Sequence, residues 1–424
     1  MTSEMRQSGA EPLRGRAAIR EAVERIVGEA RVVDMHTHLY PEAFGKLLLY
    51  GFDALVTYHY LIAEYFRATR ASYESFWSRD RAGQADAIWQ ALFVERSPIS
   101  EAARGVLTAL QALGLDTTDG KPADFRAHFR SVDVGAHIER VFDAAGVDEV
   151  VMTNDPFDDA ERPVWMEEGF ALTSRFRAAL RIDPLLLDWS SSCGRLRVWG
   201  YNADALLSET ALSEVRRFLD DWIYRTKALY MAVSLPPTWA YPEESPSATL
   251  LERCVLPVAQ DHGIPFALMI GVQRTVNPGL RLAGDGVGRA DVRAVERLCI
   301  RHPDVRFMVT MLARENQHEL CVAARKLPNL LPFGCWWFLN NPSLIEEITR
   351  MRLELLGLTV VPQHSDARVL EQVIYKWKHS RALIGEVLGR KYADLAATGW
   401  AVTESAIRSD VERLFSRNFL EFVQ

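Results

Sequence analysis

This 424-residue chain is poor in several things, and each shortage excludes a class of protein. Cysteine is scarce: Cys193, Cys254, Cys299, Cys321 and Cys335 lie far apart and form no CxxC pair. An odd, scattered set is neither a disulfide framework nor a zinc-finger pattern, and it reads as the reduced thiols of a cytoplasmic protein. Long apolar runs are missing as well. The longest uncharged stretch, residues 327–345, is broken by Pro328, Pro332, Gly334 and Pro342, so it is no continuous helix in lipid. The first thirty residues carry charges throughout and lack the apolar core of a signal peptide. No excess of positive charge exists: Lys+Arg 49 against Asp+Glu 56 leaves −7, which gives no general attraction for nucleic acid or an anionic membrane. A small-molecule partner is favoured. Finally, no GxGxxG occurs, which argues against an open dinucleotide-binding sheet.

What is present is a recurring segment type, short apolar β-branched runs separated by charged amphipathic stretches. The runs occupy residues 31–38, 148–155, 177–184, 230–237, 265–271, 306–312, 330–338 and 358–366. Near-continuous apolar runs suit strands buried on both faces, and their alternation with helical patterns means βαβ units. Eight such runs predict a (β/α)8 TIM barrel. A barrel of this kind needs about 250 residues, which leaves a surplus to place. We expect residues 1–38 to hold an N-terminal helix and strand 1. Residues 39–147, rich in Trp, Phe and Tyr, read as a mostly helical insertion after strand 1. Residues 148–424 carry the rest of the barrel and a C-terminal helical tail.

In such a barrel the active site lies at the C-terminal ends of the strands. The first run ends in His36-Thr37-His38. Strand alternation puts residues i and i+2 on one face, so both imidazoles can point into the mouth as metal ligands. Alone, HxH is weak, and core or surface histidines account for most of its occurrences. The eighth run ends in His364-Ser365-Asp366-Ala367-Arg368, beside strand 1 once the barrel closes, so Asp366 can complete a His-His-Asp set. Its bland reading is a helix N-cap; His364 reads as inward packing. The acidic cluster at residues 154–159 reads as a turn rather than a second metal site. Residues 314–316 read as the start of a helix, and Cys335 as inert packing.

An aspartate after an HxH first strand, within eight strands, resembles the amidohydrolase superfamily. Its hydrolases add a carboxylated lysine and two histidines from strands four to six, where this chain offers Ser234, Met269 and Thr310-Met311. A mononuclear centre is what remains. The closer resemblance is to the uronate isomerase (glucuronate isomerase) family, in its divergent branch with a Thr57-Tyr58-His59-Tyr60 motif. It rests on Asp34-Met35-His36-Thr37-His38-Leu39, His59-Tyr60 and Asp366-Ala367-Arg368, with Arg181, Arg274 and the segment Gly334-Cys335-Trp336-Trp337-Phe338. Ser234 stands where the better-known branch has an aspartate, and Met269 where it has a histidine.

The resemblance implies interconversion of D-glucuronate with D-fructuronate and of D-galacturonate with D-tagaturonate, by proton transfer through an enediol. One divalent ion, zinc by first choice, would be held by His36, His38 and Asp366. Catalytic candidates are Tyr60, first for proton transfer, His59 as its hydrogen-bond partner, and His36 and Asp366 in a proton relay. Tyr58 reads as structural. Arg181, Arg274 and Arg368 are the candidates for the distant carboxylate of a uronate, which a guanidinium binds through a bidentate fork. Alternation sends one of Trp336 and Trp337 toward the mouth, under a sugar ring, and the other into the helical layer. A homo-oligomer is expected. The alternative reading is a metal-dependent hydrolase of a sugar-acid lactone or amide.

Overall fold

The computed structural model describes residues 11–424, so the first ten of the thirty leading residues lie outside it. The strands in chain order are β1 (Val32–Thr37), β2 (Val147–Asn154), β3 (Phe176–Arg181), β4 (Met231–Leu235), β5 (Phe266–Ile270), β6 (Val272–Gln273), β7 (Gly286–Val287), β8 (Phe307–Met311) and β9 (Leu330–Pro332). Seven pair in parallel in the order β1-β2-β3-β4-β5-β8-β9. β6 and β7 form a small antiparallel hairpin in the loop after β5.

The eighth run is not a regular strand. Its backbone makes one bridge to the seventh, Val361 against Phe333, and Gly334 N donates to Val361 O at 2.8 Å. On the other side Asp366 N donates to His36 O at 3.1 Å and His38 N to Ala367 O at 2.8 Å. Side chains complete the closure. Gln363 Oε1 accepts from Cys335 N at 2.8 Å, and Asp34 Oδ1 accepts from Ser365 N at 3.0 Å. The curled sheet therefore closes as a barrel, but through a few backbone bonds supplemented by Gln363 and Asp34 rather than a regular ladder. The seventh run also stops early, at Pro332. Gly334 turns there with φ +62, and a Cβ would stand 1.7 Å from His364 Nδ1, so only glycine lets the chain pass over that ring.

Residues 39–147 fold as short helices, including His59–Thr69, Glu101–Ala112 and Val134–Ala145. The last shows how the chain is delivered to the sheet. Asp133 caps its start by accepting from Ala136 N, and Ile138, Val141, Phe142 and Ala145 face inward at helical spacing. Gly146 ends it in the left-handed region, and β2 begins at the next residue. A long helix, Gln372–Ala397, runs back along the barrel against the N-terminal helix Arg16–Glu29. The barrel interior holds Val33, Met35, Tyr230, Met308 and Phe333. The terminal helix Asn418–Val423 adds Phe419 and Val423 to this cluster. No helix among the described residues is long and apolar enough to cross a membrane.

Candidate metal centre and the cavity around it

His36 lies in β1, His38 just beyond its end, and Asp366 at the end of the eighth run. His36 Nε2 is 3.7 Å and His38 Nε2 3.4 Å from Asp366 Oδ1. Among the described residues this is the one grouping of three or more such side chains with ligand atoms close enough to share an ion, all within 4.8 Å of one another.

Hydrogen bonding on the far side of each ring decides what these atoms can do. Thr153 Oγ1 donates to Thr37 O at 3.0 Å and lies 2.8 Å from His38 Nδ1. Tyr230 Oη donates to Met35 O at 2.7 Å and lies 3.3 Å from His36 Nδ1. A hydroxyl has one proton. Both hydroxyls spend theirs on a backbone carbonyl, so each can only accept from its histidine, and both rings carry hydrogen on Nδ1. Burial, and then the proximity of His364, hold His36 well below the usual imidazole range; burial also lowers His38. Two neutral rings thus present bare Nε2 lone pairs to a carboxylate oxygen that is itself buried without a hydrogen-bond partner. Three acceptors converge with no donor between them. Such a set is complete only around a cation, and two imidazoles with a carboxylate fit a divalent metal.

Asp366 reaches this position with φ 51, in the left-handed region. For a residue with a Cβ that costs about 1–2 kcal/mol, which the surrounding contacts must offset.

A cavity of about 490 Å³ opens above the three residues, lined also by Tyr58, His59, Arg181, Arg274 and Arg368. The arginines differ in commitment. Arg181 makes a two-pronged pair with Asp183, at 2.9 and 2.8 Å, whose charge pushes the guanidinium pKa up. Arg274 pairs with Asp285 at 2.5 Å. Arg368 has no side-chain partner among the described residues and is exposed in the cavity wall. Arg281 also lines the cavity, 4.2 Å above the ring of Trp77 from the insertion, and has no ion-pair partner among the described residues. Nothing local in the sequence singles it out, because the loop after β5 brings it back over the mouth.

Both tryptophans line the cavity, against the expectation that alternation would separate them. The reason is that β9 has already ended; Trp337 sits in a turn at φ 48, where strand alternation no longer applies. The tyrosines also fall differently from their reading. Tyr58 lines the metal cavity, whereas Tyr60 lines an adjoining space of about 240 Å³ with Glu101, Tyr375 and Lys376. His59 and Trp337 border both spaces. Burial pushes both phenols well above their ordinary range. Burial, with the charge of Lys376, lowers His59 to about 3, and its buried Nε2 has no partner. The cluster at residues 154–159 is a turn: Asp155 accepts from Phe157 N and Asp158 from the amides of Ala160 and Glu161. Arg314 opens a short turn and pairs with Glu347. Cys335 is buried, and burial pushes its thiol up to about 11.

The chain superposes on a uronate isomerase from Bacillus halodurans with TM-score 0.95 and 53% identity, over 97% of each chain. The chain belongs to the uronate isomerase family. Two more distant structures share the fold. A uronate isomerase from Thermotoga maritima matches with TM-score 0.77 at 14% identity, over 97% of this chain and 99% of that one. A glucuronate isomerase from Caulobacter crescentus has the same score and identity, over 96% and 94%. Neither the family models nor the curated proteins compared with the chain match it. Within this family, the centre of His36, His38 and Asp366 stands at the strand ends where a barrel enzyme works, in a cavity rich in arginine.

Proposed function

We propose that this protein is an aldose–ketose isomerase of uronates, interconverting D-glucuronate with D-fructuronate and D-galacturonate with D-tagaturonate. Family membership supports the reaction class, and the observation that carries the site is the convergence of two bare Nε2 atoms on the unpartnered Asp366 Oδ1. An ion bound there, zinc by first choice for this donor set, supplies Lewis acidity toward the carbonyl and hydroxyl oxygens of the sugar.

The reaction moves a proton from C2 to C1 and a hydroxyl proton from O2 to O1. Tyr60 is the first candidate for moving the carbon-bound proton. His59, kept neutral and with Nε2 free, can accept a supporting hydrogen bond, but at about 3 it is too weak a base to take that proton itself. Tyr60 and Tyr58, kept protonated by burial, can donate hydrogen bonds or a proton to the developing oxyanion. The Asp366 carboxylate can relay between the two hydroxyls. Arg368, without a competing carboxylate, is the first choice for the distant carboxylate of the substrate, with Arg181 and Arg274 held in place by their aspartates. Hydrolysis of a lactone or amide remains the second reading. The strand ends that would supply further metal ligands carry Ser234, Met269 and Thr310, which speaks against it.

The test is proton NMR of metal-replete protein with each uronate in D2O. Appearance of the ketose with solvent deuterium at C1 is expected. If neither uronate yields a ketose, the isomerase reading falls and lactone hydrolysis is assayed next.

A further inference from the structure

Ten residues beyond Asp366, on the long helix Gln372–Ala397, Lys376 is buried at 3% exposure with no carboxylate bonded to its ammonium. A buried lysine normally finds an anion or loses its charge. Here Nζ donates to Ser365 O at 2.6 Å and lies 3.4 Å from Asp366 O. Its remaining side faces the Tyr60 ring, whose centroid is 5.8 Å away.

These two carbonyls flank the left-handed turn that aims the Asp366 carboxylate. Both peptide oxygens are therefore drawn toward the helix, while Oδ1 lies 3.7 and 3.4 Å from the Nε2 atoms of His36 and His38. The next helical residue works on the same turn. Trp377 Nε1 donates to Asp34 Oδ2 at 2.8 Å, and Asp34 Oδ1 accepts from Ser365 N at 3.0 Å. The Ser365 hydroxyl in turn accepts from Ala367 N at 3.1 Å. The peptide planes around Asp366 are thus oriented chiefly by Lys376, by the Asp34–Trp377 pair and by β1, with a longer bond of 3.4 Å from Asn340 Nδ2 to Ser365 O.

We propose that Lys376 is a positioning residue of the metal centre, which holds the Asp366 turn in its left-handed conformation by binding the two carbonyls, so that the carboxylate is presented to the ion before the ion arrives. The inference rests on the metal reading of His36, His38 and Asp366. It assigns Lys376 no contact with substrate. A long apolar side chain could fill the same space but would leave Asp366 O without this donor and Ser365 O with only the 3.4 Å bond from Asn340 Nδ2, and the turn free to relax. Lys376→Met removes both the charge and the donors, Lys376→Gln keeps a donor without charge, and Lys376→Arg keeps charge with a different reach.

The experiment measures zinc affinity by competition with a chromogenic chelator, together with thermal unfolding of the metal-stripped proteins. Groups that orient a metal ligand typically change affinity by about 10–100-fold when removed. We expect Lys376→Met to weaken zinc binding by at least tenfold, Lys376→Gln by less, and Lys376→Arg least of all. The metal-free Lys376→Gln protein should unfold within a few degrees of its parent, which separates positioning from loss of fold. If Lys376→Met does not accumulate as folded protein, Lys376→Gln decides. Zinc affinity within twofold of the parent in the folded variants overturns the inference and leaves the metal reading standing. A parent that binds no stoichiometric metal overturns both.

Discussion

The long helix Gln372–Ala397 carries a buried cation near each end of the barrel, and the two ends treat polar groups in opposite ways. At the bottom, Arg381 spends its guanidinium on the ends of two helices. Nη1 donates to Val27 O at 3.3 Å, Gly28 O at 3.4 Å and Ala30 O, and Nη2 to Ala145 O at 3.2 Å and Gly146 O at 2.7 Å. These are carbonyls that a helix C-terminus leaves without an internal partner. Gly146 suits the site because it holds a left-handed φ of +65, and a Cβ there would also lie 2.6 Å from Nη2 and displace the guanidinium. At the mouth the pattern reverses. His36, His38 and Asp366 are acceptors facing acceptors, with His36 and Asp366 buried and His38 partly so. One end closes its polar groups on each other and gains stability. The other sets acceptors against one another and gives stability up, an arrangement that suits a cation-binding site.

Asp366→Asn breaks the comparison at the mouth and should have the largest effect. We expect loss of bound metal by elemental analysis and a fall in turnover of about a thousandfold or more, since the anionic ligand is gone. The metal-free variant should be as stable as the parent or slightly more so, because an amide can donate to a histidine Nε2 where the carboxylate could not. Marked destabilisation would mean that the three acceptors are not in conflict. Next comes the pair Tyr60→Phe and Tyr58→Phe. Both should keep their metal, and Tyr60→Phe should lower turnover by about a hundredfold or more, as loss of a proton-transfer group does. A larger loss in Tyr58→Phe would hand the role to the phenol that lines the metal cavity.

Arg381→Met tests the bottom. With four carbonyls deprived of this donor and Gly146 O left with only Val32 N, unfolding free energy should drop by roughly 3 kcal/mol, read from urea titration, while metal content and turnover per folded molecule stay unchanged. Altered metal affinity would show that the two ends are coupled. The last effect is read in pH rather than in function and concerns Glu161, a buried carboxylate that is closed on itself. It accepts from Tyr40 Oη at 3.0 Å, Asn154 Nδ2 at 2.6 Å, Asp155 N at 3.0 Å and Trp165 Nε1 at 3.0 Å, yet burial pushes it up to about 7. A carboxyl raised in the fold binds its proton more tightly there than in the unfolded chain. It costs nothing below the ordinary value near 4.5, and stability falls as pH rises from there to about 7. The slope should be roughly 1.4 kcal/mol per pH unit across that window. Glu161→Gln should flatten it; an unchanged slope would assign the dependence to other groups.

The barrel was legible because buried parallel strands must be apolar on both faces, and β1, β5 and β8 are buried at every position. Where a run was buried for another reason, the reading slipped. Residues 360–366 are enclosed, but their backbone makes only scattered bonds to the neighbouring runs, supplemented by Gln363 and Asp34, a kind of pairing that leaves no periodic trace. Trp336 and Trp337 misled in the same way, since alternation ceased with β9 before them. Tyr230 and Thr153, which set the tautomers of His36 and His38, sit on β4's approach and on β2 and look like ordinary core residues in one dimension.

By itself the sequence determined which residue types stand at the strand ends: two histidines two apart, an aspartate before the closing helix, and several arginines. Their chemistry follows from side-chain identity and local spacing, which a linear chain records directly. Only the tertiary structure decided which of them are free to act. It committed Arg181 to Asp183 and Arg274 to Asp285, left Arg368 open, turned Tyr60 away from the metal cavity, and brought Lys376 beneath Asp366. These outcomes depend on which hydrogen-bonding group finds a partner first, and the partners lie on elements brought together only when the barrel closes.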